Sequence, residues 1–150
     1  AESVGGADVV DSHPMPDIRL SNPRDWDAVN YGMQLVMHDP GGGARAAGQG
    51  AQYRIAGKSG TAQIVGIRQG ERYDRLKTKE RHRDNALFVG FAPAAEPSIV
   101  VSVTIENGEA GGRVAGPVVR EIMDAWLLDG NGKLKPQYAV PADTASGKHA

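Results

Sequence analysis

Two consecutive apolar runs constrain this chain more than any other feature. In Ala86-Leu87-Phe88-Val89-Gly90-Phe91-Ala92 both alternating faces are apolar, and Pro93 ends the run. In Ser98-Ile99-Val100-Val101-Ser102-Val103-Thr104-Ile105 β-branched residues dominate. Both patterns predict strands. The short linker between them, 94–97, favours an antiparallel pair. A strand apolar on both sides needs cover on both sides. The chain must therefore fold round a sheet, with helices or further polypeptide laid against it.

A third strand is predicted at Arg54-Ile55-Ala56-Gly57-Lys58-Ser59-Gly60-Thr61-Ala62-Gln63, running on through Ile64, Val65 and Ile67. Along a strand Ser59 and Thr61 project to one side, with Gly60 between them. Two hydroxyls and a nearby ammonium make a cradle for a carboxylate. Gly60 has no Cβ, so the backbone of a bound peptide can lie close to the strand. Strict alternation aims Lys58 at the other side, but twist and a long stem can bring its ammonium round. A free backbone N–H on an edge strand can also donate to a developing oxyanion.

The same residues have two other readings. A Gly-Lys-Ser phosphate loop needs a glycine five positions before the Gly-Lys pair and a helix straight after it. Gln52 stands at that position, and the residues after Ser59 favour a strand. The chemically silent reading is a solvated lysine on an ordinary strand. The four letters Lys-Ser-Gly-Thr alone do not decide; their flanks do.

One helix is predicted upstream of this strand. Ser21 or Asn22 can cap it, Pro23 suits its first position, and Asp25 and Asp27 suit the positive end of its dipole. Trp26, Val29, Met33, Val36 and Met37 form its apolar stripe, and Asp39-Pro40 ends it. Gly41 to Gly50 reads as a flexible connector, or else a mobile flap beside the strand. A second helix is predicted to open at Pro117, after a loop through Glu106-Asn107-Gly108 and Gly111-Gly112. Its predicted buried stripe is Val118, Ile122, Ala125 and Trp126.

Residues 1–20 read as an extended arm, with Ile18 and Leu20 able to make a short strand. Residues 21–129 form the folded part, and 130–150 read as a disordered tail. The fold class is α+β: three antiparallel strands flanked by an upstream helix and a C-terminal helix. No internal repeat is visible.

Composition narrows the function. With 17 basic and 18 acidic residues, no global field draws the chain to nucleic acid or an acidic membrane. Between Arg68 and Asp84 seven bases face four acids, but Tyr73 is the one interleaved aromatic. Base stacking has little to work with there, and the stretch reads as a solvated hairpin insertion or a rim meeting a polymer or partner. His82 has no second histidine at ligand spacing, so no metal is expected. No cofactor is implied. The chain has no cysteine, which excludes a disulfide framework and a thiolate metal site. No apolar run approaches membrane-spanning length. The absence of an initiator methionine suggests a processed chain or an internal piece of a longer one.

The flanks of the third strand carry a resemblance. Arg54 to Gln63, then a charged insertion, then His82-Arg83-Asp84-Asn85-Ala86-Leu87-Phe88-Val89-Gly90-Phe91-Ala92-Pro93, then Ile105-Glu106-Asn107-Gly108, resemble the carboxy-terminal part of class B penicillin-binding proteins of the cell-elongation D,D-transpeptidase type. The resemblance covers about Asp17 to Leu128. It implies the C-terminal part of a penicillin-binding transpeptidase (serine β-lactamase-like) fold. It also implies serine acyl transfer on peptidoglycan stem peptides, and β-lactam binding. By resemblance Lys58 organises the polar site, Ser59 and Thr61 bind the terminal carboxylate, and Gly60 admits the substrate backbone. The N–H of Thr61 supplies part of the oxyanion hole. Implied partners are the remainder of the transpeptidase domain and a glycan polymerase of the elongation machinery. The implied location is a periplasmic domain of an inner-membrane-anchored parent.

One departure is large. The family's nucleophile lies in Ser-x-x-Lys, with a further Ser-x-Asn motif, and no serine of this chain fits either. The chain alone is therefore expected to lack the nucleophile and to be inactive. A non-catalytic module that binds carboxylates or a partner is the alternative.

Overall fold

The computed structural model describes residues 16, 18–64 and 82–139. In order, the elements are α1 (Arg24–His38), α2 (Arg45–Gly48), β1 (Ala56–Ala62), β2 (Asn85–Ala92), β3 (Ile99–Ile105), α3 (Gly111–Leu127) and a 3-10 turn at Pro136–Tyr138. The three strands form one antiparallel sheet in the order β1-β2-β3. The predicted α+β arrangement is what forms. The arm 1–15, the charged insertion 65–81 and the end of the chain, 140–150, lie outside the described residues.

Register decides which face is buried. Ala86, Phe88, Gly90 and Ala92 of β2 stand opposite Ile105, Val103, Val101 and Ile99 of β3. Ala86, Phe88, Ala92 and Val101 join Ala115, Val119, Met123 and Leu127 of α3 in the core. Phe88, Val119, Met123 and Leu127 are almost wholly buried, each stabilising by about 1.5–3 kcal/mol gross. The opposite face stays open among the described residues: Val89 and Val100 are exposed, the latter 68 %. The sheet was expected to need cover on both sides, and α3 covers one of them.

Both helices differ from their predicted stripes. In α1 only Met37 is fully buried, while Trp26 and Val29 are about half exposed. The cause is placement: α1 meets the core through its last turn, where Val36 and Met37 pack. In α3 the helix begins six residues earlier than predicted and carries Pro117 inside it. Its buried stripe is Gly111, Ala115, Val119, Met123 and Leu127, whereas Val118, Ile122, Ala125 and Trp126 are exposed. Both rows have helical spacing. The inner one is set by the small residues Gly111, Ala115 and Gly116, which let the helix approach the sheet and α2 closely.

The stretch from Gly41 to Gly50 is packed rather than a loose connector. Ala44, Ala47 and Gly48 are buried. A Cβ on Gly48 would lie 2.0 Å from the Met37 carbonyl oxygen, so only glycine lets the corner fold back on α1. At the far end, residues 130–139 are not a disordered tail. Leu128 and Leu134 bridge, Lys135 N donates to Leu127 O at 3.0 Å, and Leu134 and Tyr138 pack on the core. Ile18–Leu20 forms no strand, and Ile18 is 73 % exposed. β1 stops at Ala62, short of the predicted run, and Ile64 is exposed.

A polar network behind the sheet ties α2, β1 and α3 together. The Tyr53 hydroxyl donates to Asp124 Oδ1 at 2.6 Å, and Arg120 Nε donates to the same oxygen at 2.8 Å. Arg120 Nη1 also donates to the carbonyls of Ala47 (3.2 Å) and Gln49 (3.3 Å), and its guanidinium lies over the Tyr53 ring. Burial first, then the Asp124 carboxylate, push the Tyr53 pKa well up, so its hydroxyl stays a donor. Beside it, Ile55 N donates to His38 Nε2 at 2.9 Å, one residue before β1. That bond needs the lone pair of a neutral imidazole. No helix among the described residues is long and apolar enough to cross a membrane.

Two measurements test this packing. A Cβ on Gly111 would lie 2.1 Å from Leu87 O and 2.6 Å from Gly60 O, and backbone cannot swing aside. Gly111→Ala should lower unfolding stability in urea by about 1–3 kcal/mol. Gly130→Ala, with open space around it, should stay within about 0.5 kcal/mol. Equal effects would contradict the close approach.

The second is pH. Burial, then Arg54, then Arg120, hold the His38 pKa below its usual 6.5. The unfolded chain therefore binds more protons as pH falls through about 6.5, and His38 makes stability fall with it. In His38→Gln, which keeps an acceptor for Ile55 N, the urea midpoint should drop less between about pH 7.5 and about pH 5.5 than in the parent sequence. Identical drops would contradict this reading.

Candidate functional site

β1 is an edge strand: β2 pairs with one side of it and no other described strand pairs with the other. Its register is Lys58 opposite Val89, Ser59 opposite Phe88, Gly60 opposite Leu87 and Thr61 opposite Ala86. Burial falls along the strand. Ala56 and Gly57 are buried, Ser59 and Gly60 half-buried, and Lys58 and Thr61 exposed. The sequence run thus starts in the core and ends in solvent.

Lys58, Ser59, Gly60 and Thr61 line one cleft of about 560 Å³. Its other lining comes from Glu109, Ala110 and the first turn of α3, Gly111, Gly112 and Arg113, with Gly43 from the packed corner. Every residue predicted to form the site is therefore in one place. Lys58 Nζ donates to the carbonyl of Ser59 at 2.6 Å, which holds the ammonium against its own strand. The Thr61 hydroxyl donates to Glu109 O at 3.3 Å, a long and weak bond. Among the described residues no group of three or more His, Asp or Glu side chains comes together to hold a metal ion.

The loop between β3 and α3 is fixed from several sides. Asn107 and Glu109 have φ of 57° and 61°, left-handed values that non-glycine residues adopt at a cost. Three hydrogen bonds hold the loop there. Glu109 N donates to Asp84 O at 2.8 Å, Asn107 N to Asn85 Oδ1 at 3.0 Å, and Ala110 N to Gly108 O at 2.7 Å. The stretches His82–Asn85 and Glu106–Gly108, read in the sequence as flanks of the site, are thus brought together. They place the Glu109 carbonyl at the Thr61 hydroxyl.

Sequence reasoning missed the second wall. It took Gly111-Gly112 for loop and began the helix at Pro117, so Arg113 was not considered. The signal was present as a glycine pair before an amphipathic run, because a helix start pressed against a sheet tolerates no side chain. A Cβ on Gly112 would lie 2.3 Å from Gly43 O.

Comparisons with known proteins give the family of this fold. Residues 10–124 match the family described as the penicillin binding protein transpeptidase domain. The chain is 38% identical over 112 residues to peptidoglycan D,D-transpeptidase MrdA of Haemophilus influenzae, covering 75% of this chain and 17% of that protein. It is 42% identical over 105 residues to MrdA of Acinetobacter baumannii, covering 69% and 15%. Among solved structures, Pseudomonas aeruginosa PBP2 in complex with WCK 5153 superposes with a TM-score of 0.72 at 54% identity, over 91% of this chain and 27% of that one. The chain therefore spans less than a third of the length of each of these relatives. On its family match, its sheet topology and these identities, the chain belongs to the penicillin-binding protein transpeptidase domain family.

Proposed function

We propose that this chain is the C-terminal segment of a peptidoglycan D,D-transpeptidase of the cell-elongation type, and that β1 is the strand that grips its substrate. The observation that carries this is the meeting of Lys58, Ser59, Gly60 and Thr61 in one cleft on a sheet edge that no described strand covers. The MrdA relatives, named as D,D-transpeptidases, support the reaction class.

In this reading the terminal carboxylate of a D-Ala-D-Ala stem peptide lies against the Ser59 and Thr61 hydroxyls. The Thr61 hydroxyl gives up only its long bond to Glu109 O to turn toward it. The Lys58 ammonium makes the cleft positive, and Gly60 leaves room for the peptide backbone to run along the strand. Alternate residues of an edge strand turn their N–H away from the partner strand. The crowding of Gly60 N, Gly60 O and Leu87 O round the Gly111 position fits a hydrogen-bonded Gly60–Leu87 pair. That pairing leaves the N–H of Thr61 for an oxyanion, a donor worth about 2.7–4 kcal/mol in comparable holes.

The attacking serine comes from the remainder of the transpeptidase domain. Its hydroxyl adds to the scissile carbonyl, the terminal D-alanine leaves, and the amine of a second stem takes the acyl group to form the cross-link. A β-lactam follows the first step but keeps its leaving nitrogen tethered, so the ester persists. The parent is membrane-anchored and works in the periplasm beside a glycan polymerase. The missing Ser-x-x-Lys favours one further reading, a module that binds carboxylates without chemistry.

Acylation by a fluorescent penicillin separates the two. The full-length protein should form an adduct, and this chain alone should show none by intact mass. In the full-length protein, Ser59→Ala with Thr61→Val should slow acylation about 100-fold, as expected for two charge-assisted hydrogen bonds of about 1.5 kcal/mol each. A loss under about threefold would remove β1 from the binding site. A full-length protein that takes no label would favour the non-catalytic module.

A further inference from the structure

We infer that Arg113 is a second anion anchor of the cleft, selecting ligands that carry a carboxylate besides the terminal one. The inference rests on the reading above, in which β1 accounts for the first carboxylate.

Arg113 lies in the first turn of α3, where the helix dipole and unpaired N–H groups are positive. Acidic residues are favoured there, and this turn has none. A cation at that place opposes the local preference. It also has no local compensation, since no hydrogen bond or ion pair to the described residues holds its guanidinium. Arg120, two turns on, is different: Asp124, Ala47, Gln49 and the Tyr53 ring occupy it. Arg113 is exposed, so its guanidinium can turn to a ligand in the cleft without breaking a bond to the described residues.

Its surroundings say which function. Arg113 lines the same cleft as Lys58, Ser59 and Thr61, but from the helix rather than from the strand. Among the described residues Glu109 is the acidic one lining the cleft, and it stands before the helix start at φ 61°. Two cations on separate elements, with a helix start between them, focus a positive field on one space. The Ser59 and Thr61 hydroxyls occupy one carboxylate. The planar fork of Arg113 suits a second, which it can take through two parallel N–H bonds. The ligand class is a peptide or β-lactam with an added side-chain carboxylate.

The test uses the full-length protein and two penicillins that differ by one carboxylate on the side chain. Acylation rates are measured for the parent sequence, Arg113→Ala, Arg113→Gln and Arg113→Lys. Both neutral variants should lower the rate for the monocarboxylate modestly, through the lost positive field. They should lower the rate for the dicarboxylate about tenfold further, the loss of one charge-assisted pair. Arg113→Lys should recover part of that selectivity. The dicarboxylate's advantage should also shrink with salt in the parent sequence and in Arg113→Lys, and more than in either neutral variant. An equal loss for both penicillins, or no loss, would overturn the proposal. Failure of the β1 reading shows separately, as monocarboxylate acylation that ignores Ser59→Ala with Thr61→Val.

Discussion

The structure depends on one close approach, the first turn of α3 against the backbone of β1 and β2. At Gly111 the gap to the carbonyl oxygens of Leu87 and Gly60 has no room for a methyl group. Next to it, Gly112 meets the backbone of Gly43 with as little space. Four segments distant in sequence therefore touch through bare backbone. Dispersion holds them, and any side chain would prise them apart. The cleft is what remains beside this contact: β1 supplies one wall and the helix start the other. Its shape follows from where glycine stands, before any catalytic side chain is considered.

β1 is held at both ends by different chemistry. Ahead of the strand, Ile55 N is fixed by His38, and Tyr53 is tied through Asp124 and Arg120 to α3. Near its far end Thr61 faces a loop held in left-handed conformations by Asp84 and Asn85. The buried, fully bonded end resists motion. At the exposed end the backbone stays paired with β2, while the Thr61 side chain is held by one weak hydroxyl contact and is free to exchange it for a ligand. This gradient, from core to solvent over seven residues, is what a strand needs if it is to be both rigid and able to bind.

Much of this was legible in the sequence. The alternation in 86–92 and the β-branched run in 99–105 announced their pairing. Lys58, Ser59, Gly60 and Thr61 pointed to the cleft they line, because hydroxyls two apart on a strand share a side. What was hidden came from tertiary choice. In α3 two apolar rows have equal helical spacing, and propensity cannot say which one the sheet takes; small residues at Gly111, Ala115 and Gly116 decided it. The glycines from 41 to 50 looked like flexibility because glycine serves loops and close contacts alike. Leu134 and Tyr138 looked like tail because neither lies in a periodic run. Arg113 was missed with the start of its helix.

The open sheet face and the exposed sides of α1 and α3 fit a chain that spans less than a third of its relatives. The central claim is that the carboxylate of the ligand meets β1, between the strand and the start of α3. It is tested most directly by a crystal structure of the full-length protein acylated by a penicillin. The account predicts the ligand carboxylate within hydrogen-bond distance of the Ser59 and Thr61 hydroxyls. A carboxylate bound elsewhere, with both hydroxyls still facing solvent, would contradict it.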